Sequence, residues 1–213
     1  ALCMHNSAVL SLYASGRTTG IVLDSGNEVT QVVPIYEGYS IPHATIRYEF
    51  GGNDVTEYLK DIFKEKGFDL NALKERIALH QIKEKFCYVA YKYDEEFTKL
   101  KYSNDFEEWK ISDDYKISFS TERIRCTELL FKPWLKHLEC DGFDKSICKS
   151  IQKCDKDIQN DLKKNIVITG GNTMFKGLDE RLKYQIKSNF PLWEVNVIAE
   201  PERGYGAWFG GSL

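Results

Sequence analysis

The stretch from residue 18 to residue 42 limits the fold more than any other part of the chain. It reads Thr-Thr-Gly-Ile-Val-Leu-Asp-Ser-Gly-Asn-Glu-Val-Thr-Gln-Val-Val-Pro-Ile-Tyr-Glu-Gly-Tyr-Ser-Ile-Pro. Two β-rich runs, residues 20–23 and 29–36, flank the corner Asp24-Ser25-Gly26-Asn27. The pattern predicts a hairpin whose tip carries one carboxylate and several backbone N–H groups. Successive turn amides form an anion-binding concavity, so the tip suits a phosphate with its metal ion. Asp-Ser-Gly is also ordinary turn chemistry, and the tripeptide alone leaves both readings open.

A buried helix over residues 7–14, apolar at Ala8, Val9, Leu10, Leu12 and Tyr13, precedes the hairpin, and Ser15-Gly16 stops it. The opening Ala-Leu-Cys-Met-His-Asn reads as the inside of a helix, as though cut from a longer chain. Residues 43–50 alternate as a third strand, with Ala44, Ile46 and Tyr48 on one face. Beyond Gly51-Gly52 a helix begins near Asn53 or Asp54, with Val55, Tyr58, Leu59, Ile62 and Phe63 as its stripe. A second helix over residues 71–89 turns Leu73, Ile77, Ile82, Phe86 and Val89 inward, and the acidic residues 91–112 read as a solvated excursion. A strand over 115–119, a helix capped by Thr121 and a long loop over 131–142 follow. Asp144 is placed to cap a helical region carrying Ile147, Ile151, Cys154, Ile158 and Leu162. A buried strand over 165–169 runs into Gly170-Gly171-Asn172-Thr173 and a helix with Leu178, Leu182 and Ile186. A strand over 194–198 leads to a last glycine-rich segment from Gly204 to Gly211. This order predicts an α/β core formed by residues 1–50 and 139–213, with residues 51–138 inserted as a helical lobe. Ligands in α/β sheets favour strand ends, so the corners at Asp24 and Gly170 can meet on one side.

At 213 residues the chain can bury a full core, and its net charge of −3 gives no electrostatic reason to bind nucleic acid or an anionic membrane. Six cysteines, at positions 3, 87, 126, 140, 148 and 154, lack metal-ligand spacing and read as free thiols in a reducing cytosol or nucleus. His5, His43, His80 and His137 show no ligand spacing either. Gly170-Gly171-Asn172-Thr173 lets backbone approach a ligand beside a helix N-terminus, or serves only a tight packing turn. Taken alone, Lys83-Glu84-Lys85 is a solvated helix face, and Met4 and Met174 are packing residues.

The segments 8–17 (A-V-L-S-L-Y-A-S-G-R), 20–42, 82–90 (I-K-E-K-F-C-Y-V-A), 169–177 and 201–212 (P-E-R-G-Y-G-A-W-F-G-G-S) follow one another as they do in actin. The chain resembles the actin family along nearly its whole length, and the match is to the second half of actin, without the N-terminal half or the final helices. The resemblance implies a ribonuclease-H-like, actin-type ATPase fold. Residues 1–50 and 139–213 would then be subdomain 3, and residues 51–138 subdomain 4. It implies ATP or ADP with Mg²⁺ or Ca²⁺ in the intact protein. Asp24, Ser25, Gly26 and Asn27 would form its second phosphate loop, with Asp24 reaching the metal through water. Lys83 and Glu84 would reach the adenosine, Gly170, Gly171 and Asn172 would lie along the nucleotide, and Phe175 replaces a Tyr beside the adenine.

Departures from actin fall on the catalytic part. Ser7 stands where actin has the Gln that orients the attacking water, and Gln31 where it has the His that helps relay protons. Asn27-Glu28 replaces an Asp-Gly pair, and Gly204 replaces a Lys that packs on the adenine. Phosphoryl transfer of this type works by positioning and electrostatics. The expectation is therefore a divergent actin or actin-related protein with weak or absent ATP hydrolysis and protein assembly as its output. A conventional ATP-hydrolysing filament former and a nucleotide-free structural subunit are the alternatives. The Tyr36-Glu37-Gly38-Tyr39-Ser40 loop matches the cleft that actin offers to binding proteins, and Lys136 and His137 alter the loop actin uses in filament packing. The resemblance implies a cytoplasmic, cytoskeletal setting, with the nucleus as the alternative.

Overall fold

The hairpin forms, and it is the middle of the sheet. The computed structural model describes residues 5–112 and 115–213. Strands β1 (Gly20–Ser25) and β2 (Thr30–Tyr36) pair antiparallel from Gly20↔Ile35 to Ser25↔Thr30. On its other side β1 takes β7 (Ile166–Thr169) in parallel, from Ile21↔Ile166 to Asp24↔Thr169. The short strands β3 (Tyr39–Ser40) and β4 (Ile46–Tyr48) both pair with β2, and β8 (Val197–Ile198) runs parallel to β7. The result is a mixed six-stranded sheet of order β3-β2-β1-β7-β8, with β4 also on β2. The apolar run Gly-Ile-Val-Leu suits this central place, because a strand covered on both faces has no polar side to present.

Alternation along β1 divides the core. Ile21 and Leu23 face the larger cluster, with Phe50, Val55, Phe63, Phe119, Phe143 and Ile147 among its members. Val22 faces the other side, where Val33, Ile35 and Val167 meet Ala8, Val9 and Leu12 of α1 (Ser7–Ala14). The larger cluster also takes in α2 (Gly52–Glu65), α3 (Leu73–Phe86), α5 (Glu122–Glu128), α6 (Phe143–Lys153), α7 (Lys156–Lys164) and α8 (Leu178–Asn189). Helix α4 (Tyr93–Tyr102) and the separate ribbon β5 (Glu107–Ser112) and β6 (Tyr115–Phe119) complete the segment between α3 and α5.

Several sequence expectations need correction. His5 and Asn6 are not inside a helix: the Asn6 side chain accepts the Ala8 N–H at 2.9 Å and caps α1, while Cys3 and Met4 lie outside the described residues. Only Ile46–Tyr48 of residues 43–50 is strand, preceded by a 3-10 turn at Pro42–Ala44. The inward face of the α3 segment holds at Ile82, Phe86 and Val89, but Leu73 and Ile77 are exposed while Ala78, Leu79 and Lys83 are buried. Residues 91–112 are mostly exposed, as expected of a solvated excursion, and carry regular structure, α4 and β5. The acids Asp94, Glu95 and Glu96 occupy the first turn of α4, and Lys99 and Lys101 the last, so these charges complement the helix dipole. Thr121 makes no side-chain cap to α5, whereas Glu122 accepts the Ser120 N–H at 2.7 Å. Asp144 lies inside the first turn of α6, behind the capping residue Gly142, and burial raises its pKa. The long loop contains a 3-10 turn at Pro133–Lys136, and the final strand is only Val197–Ile198.

Among the described residues, Cys87, Cys126, Cys140, Cys148 and Cys154 are free thiols. No described helix is long and apolar enough to cross a membrane. The last helix, α9 (Gly206–Gly211), packs on α1 so closely that a side chain on Gly210 would overlap the Leu10 carbonyl. Gly210→Ala should therefore lower the stability read by urea unfolding by about 1–3 kcal/mol, the usual cost of overpacking. Gly211→Ala, whose new methyl meets only Leu10 Cδ1 at 3.6 Å, should leave it within experimental error.

Candidate functional site

Parallel pairing of β1 and β7 delivers both glycine corners to one end of the sheet. Asp24↔Thr169 is the last pair, and each chain then turns. Gly170 has φ +92°, and a side chain there would overlap the Ser25 carbonyl and approach Asp24 Oδ1 to 2.9 Å. Both facts require glycine. The first corner is closed by Gly26 N–H donating to Val29 O at 2.9 Å. It is also held from outside by the start of α2, where Gly52 N–H donates to Gly26 O (3.0 Å) and Asn53 N–H to Asn27 O (2.8 Å). Two donors that a helix start leaves without intrahelical partners thus take up the corner carbonyls. Gly51 makes this approach feasible, since a Cβ there would lie 2.6 Å from Asn27 O.

A buried hydrogen-bond chain ties the second corner to the first. Asn172 Nδ2 donates to Ser25 Oγ at 2.9 Å, Ser25 and Thr30 hydroxyls meet at 2.7 Å, and Thr30 donates to Phe50 O at 2.7 Å. With the Thr30 proton on Phe50, the Ser25 proton goes to Thr30, and every link is satisfied. Among the described residues, Asn172 Oδ1 remains buried without a partner.

Gly26, Asn27, Lys83, Glu84, Gly171, Asn172 and Phe175 line one cleft of about 390 Å³. Ser25 is fully buried, its hydroxyl holding Asn172 and Thr30, and Gly170 does not line the cleft. Lys83 is not on a solvated face: it is 7% exposed, and its Nζ donates to Gly52 O at 2.9 Å. Burial lowers its pKa, opposed by the Glu84 charge. Asp24 does not line this cleft. It borders a shallower one of about 380 Å³ with Glu28 and Gln31, and the two clefts share Gly26 and Asn27. Asp24 Oδ2 accepts from Ser7 Oγ (3.1 Å) and Gln31 Nε2 (3.0 Å), and Gln31 Nε2 also reaches Ser7 Oγ at 3.1 Å.

Sequence reasoning missed Gly52, Lys85, Met174 and Lys176, all of which line the larger cleft. Met174 is 45% exposed rather than packed away. Lys85 sits at the cleft with its ammonium 5.2 Å from the Phe86 ring and 5.5 Å from the Trp109 ring, both cation–π distances. The Gly51-Gly52 pair is readable as a breaker, but its close approach to a corner some 25 residues earlier has no local signal.

The family model described as Actin matches residues 1–213. The chain belongs to the actin family. Its mixed α/β architecture is accordingly the ribonuclease-H-like fold of actin. Members of the actin family typically bind ATP or ADP with a divalent cation, and the family suggests protein partners or self-assembly.

The buried ammonium of Lys83 gives one test in this actin-family chain. Its folded pKa lies below that of a free lysine, so the charged form costs folding free energy at neutral pH. That cost is fully present below the folded pKa and fades as pH rises through the unfolded value of about 10.4. Lys83→Met should match or exceed the urea midpoint of the parent protein at pH 7, because apolar replacement of a buried charge is often neutral or stabilising. Any gain should shrink as pH approaches 10. A midpoint at pH 7 clearly below the parent's would contradict this account.

Proposed function

We propose that the cleft is one wall of an adenine-nucleotide site in a divergent actin-family protein whose output is protein–protein assembly, with ATP hydrolysis weak or absent. The supporting observation is the convergence of two corners, far apart in sequence, with Lys83 and Glu84 on one cleft. The residues present suit a nucleotide chemically. Asn27 is exposed at the tip of a glycine corner whose carbonyls are engaged by α2. Lys83 and Asn172, which both line the cleft, bring a donor and an acceptor close together, with Lys83 Nζ and Asn172 Oδ1 lying 3.5 and 3.4 Å from the point a Gly52 side chain would occupy. Phe175 would offer a ring face to the base. Asp24 would hold Mg²⁺ or Ca²⁺ through water, and the bound cation would neutralise charge on the phosphate oxygens.

Weak hydrolysis follows from what surrounds Asp24. The Ser7 hydroxyl proton and the Gln31 amide are both directed at Asp24 Oδ2. Neither is a base at neutral pH, so neither can take a proton from an attacking water. The Tyr36–Ser40 loop, with Tyr39 80% exposed, is the proposed surface for a protein partner, and the proposed setting is the cytoplasm, with the nucleus as the alternative. One observation favours a nucleotide-free structural subunit instead. Glu28 borders the same shallow cleft as Asp24, and two carboxylates there oppose a polyphosphate.

Calorimetry of the full-length protein with ATP and Mg²⁺ separates the two: heat of binding at a single site supports the first reading, and its absence the second. The double variant Ser7→Gln/Gln31→His should raise phosphate release by at least about tenfold, short of the roughly 100-fold and more that well-placed proton-transfer groups supply. An unchanged rate in a variant that still binds ATP would remove the Ser7–Asp24–Gln31 cluster as the cause of slow turnover.

A further inference from the structure

The larger cleft does not end at Phe175. Glu84, Gly171 and Met174 also border a second cavity of about 740 Å³, which continues between the 3-10 turns at Gly171–Thr173 and Arg203–Tyr205. Met174 lines both spaces. Gly204 lines the second one and leaves room beside Met174, since a Cβ there would lie 3.7 Å from Met174 Sδ, an ordinary contact. Tyr205 and Phe209, both exposed, give the annex aromatic walls, while Glu84 and Glu202 add two carboxylates.

The annex is held rigid. Arg203 donates to Thr173 O from Nε (3.1 Å) and Nη2 (2.9 Å) and to Glu200 O from Nη1 (3.0 Å). The Arg203 carbonyl in turn accepts from the Gly170 N–H at 3.0 Å and the Thr169 hydroxyl at 2.8 Å. A side chain that crosslinks two turns in this way fixes the cavity between them without a ligand, which keeps the ordering cost of binding low.

Resting on the nucleotide reading above, we propose that this annex is a subsite for an uncharged aromatic or apolar group carried on the base of a bound purine nucleotide. The apolar walls of Met174, Tyr205 and Phe209 supply the contact. The two carboxylates exclude an acidic substituent by like-charge repulsion. The ligand class is thus a base-substituted purine nucleotide rather than the parent nucleotide alone.

The test measures affinities of the full-length protein for ATP and for three benzyl-bearing analogues, N6-benzyl-ATP, 2-benzylthio-ATP and 8-benzylthio-ATP, by calorimetry. At least one analogue should bind on the order of tenfold more tightly than ATP, the scale set by burying part of an aromatic ring. Adding a carboxylate to that benzyl group should abolish the gain. Gly204→Lys puts a long cationic side chain into the annex beside Met174, and Gly204 is exposed and free of backbone strain, so the variant keeps the fold. In it the ratio of analogue to ATP affinity should fall to one or below. If ATP binds but no analogue binds better, or if the ratio survives Gly204→Lys, the annex is not a subsite. If neither ATP nor any analogue binds, the nucleotide reading itself fails and takes this proposal with it.

Discussion

Everything in the cleft depends on β1 accepting β7 in parallel. Four residue pairs, from Ile21↔Ile166 to Asp24↔Thr169, bring strands separated by more than 140 residues into register. Parallel neighbours leave the sheet at the same end, so each chain turns there, and both turns are made of glycine. Had β7 run antiparallel, Gly170 would lie at the opposite end from Asp24, and no arrangement of side chains could join them. A slip of one residue would be nearly as damaging, because it would turn Ile21 and Leu23 out of the larger core.

The strongly patterned parts of this arrangement were legible from residues alone. The hairpin at residues 20–36, the stripe of α2 and the run into Gly170-Gly171 all announce themselves, because each carries a local period or a glycine stop. The actin resemblance added Lys83 and Glu84 to the candidate site, which no spacing rule could have done. What escaped reading is where tertiary contact overrides local pattern. On α3 the apolar Leu73 and Ile77 face solvent while a lysine turns inward, since Lys83 finds the Gly52 carbonyl and Ile77 finds no neighbour to cover it. Residues 91–112 are solvated as their acidic composition suggests, but the helix within them escaped reading: Asp94, Glu95 and Glu96 sit at its start, where the dipole favours them. Gly52, Met174 and Lys176 reach the cleft only because distant segments fold against each other.

Around Asp24 the proposed loss of hydrolysis would rest on substitution within an ordered site. The carboxylate is held by two donors, and the corner beside it is clamped by the start of α2. In the proposed reading, a carboxylate held in this way suits a protein in which nucleotide acts as a structural element. On that reading Gly51, Gly170 and the Asn172–Ser25–Thr30 chain serve the shape of the cleft.

The placement of Lys85 has an optical consequence. Its ammonium lies against the indole of Trp109, and Trp109 belongs to a two-stranded ribbon outside the main sheet. Anything that draws that ammonium toward the cleft must pull it off the indole. Trp109 is thereby an intrinsic fluorophore wired to the mouth of the cleft, and its emission would register the arrival of a negative charge there without any label.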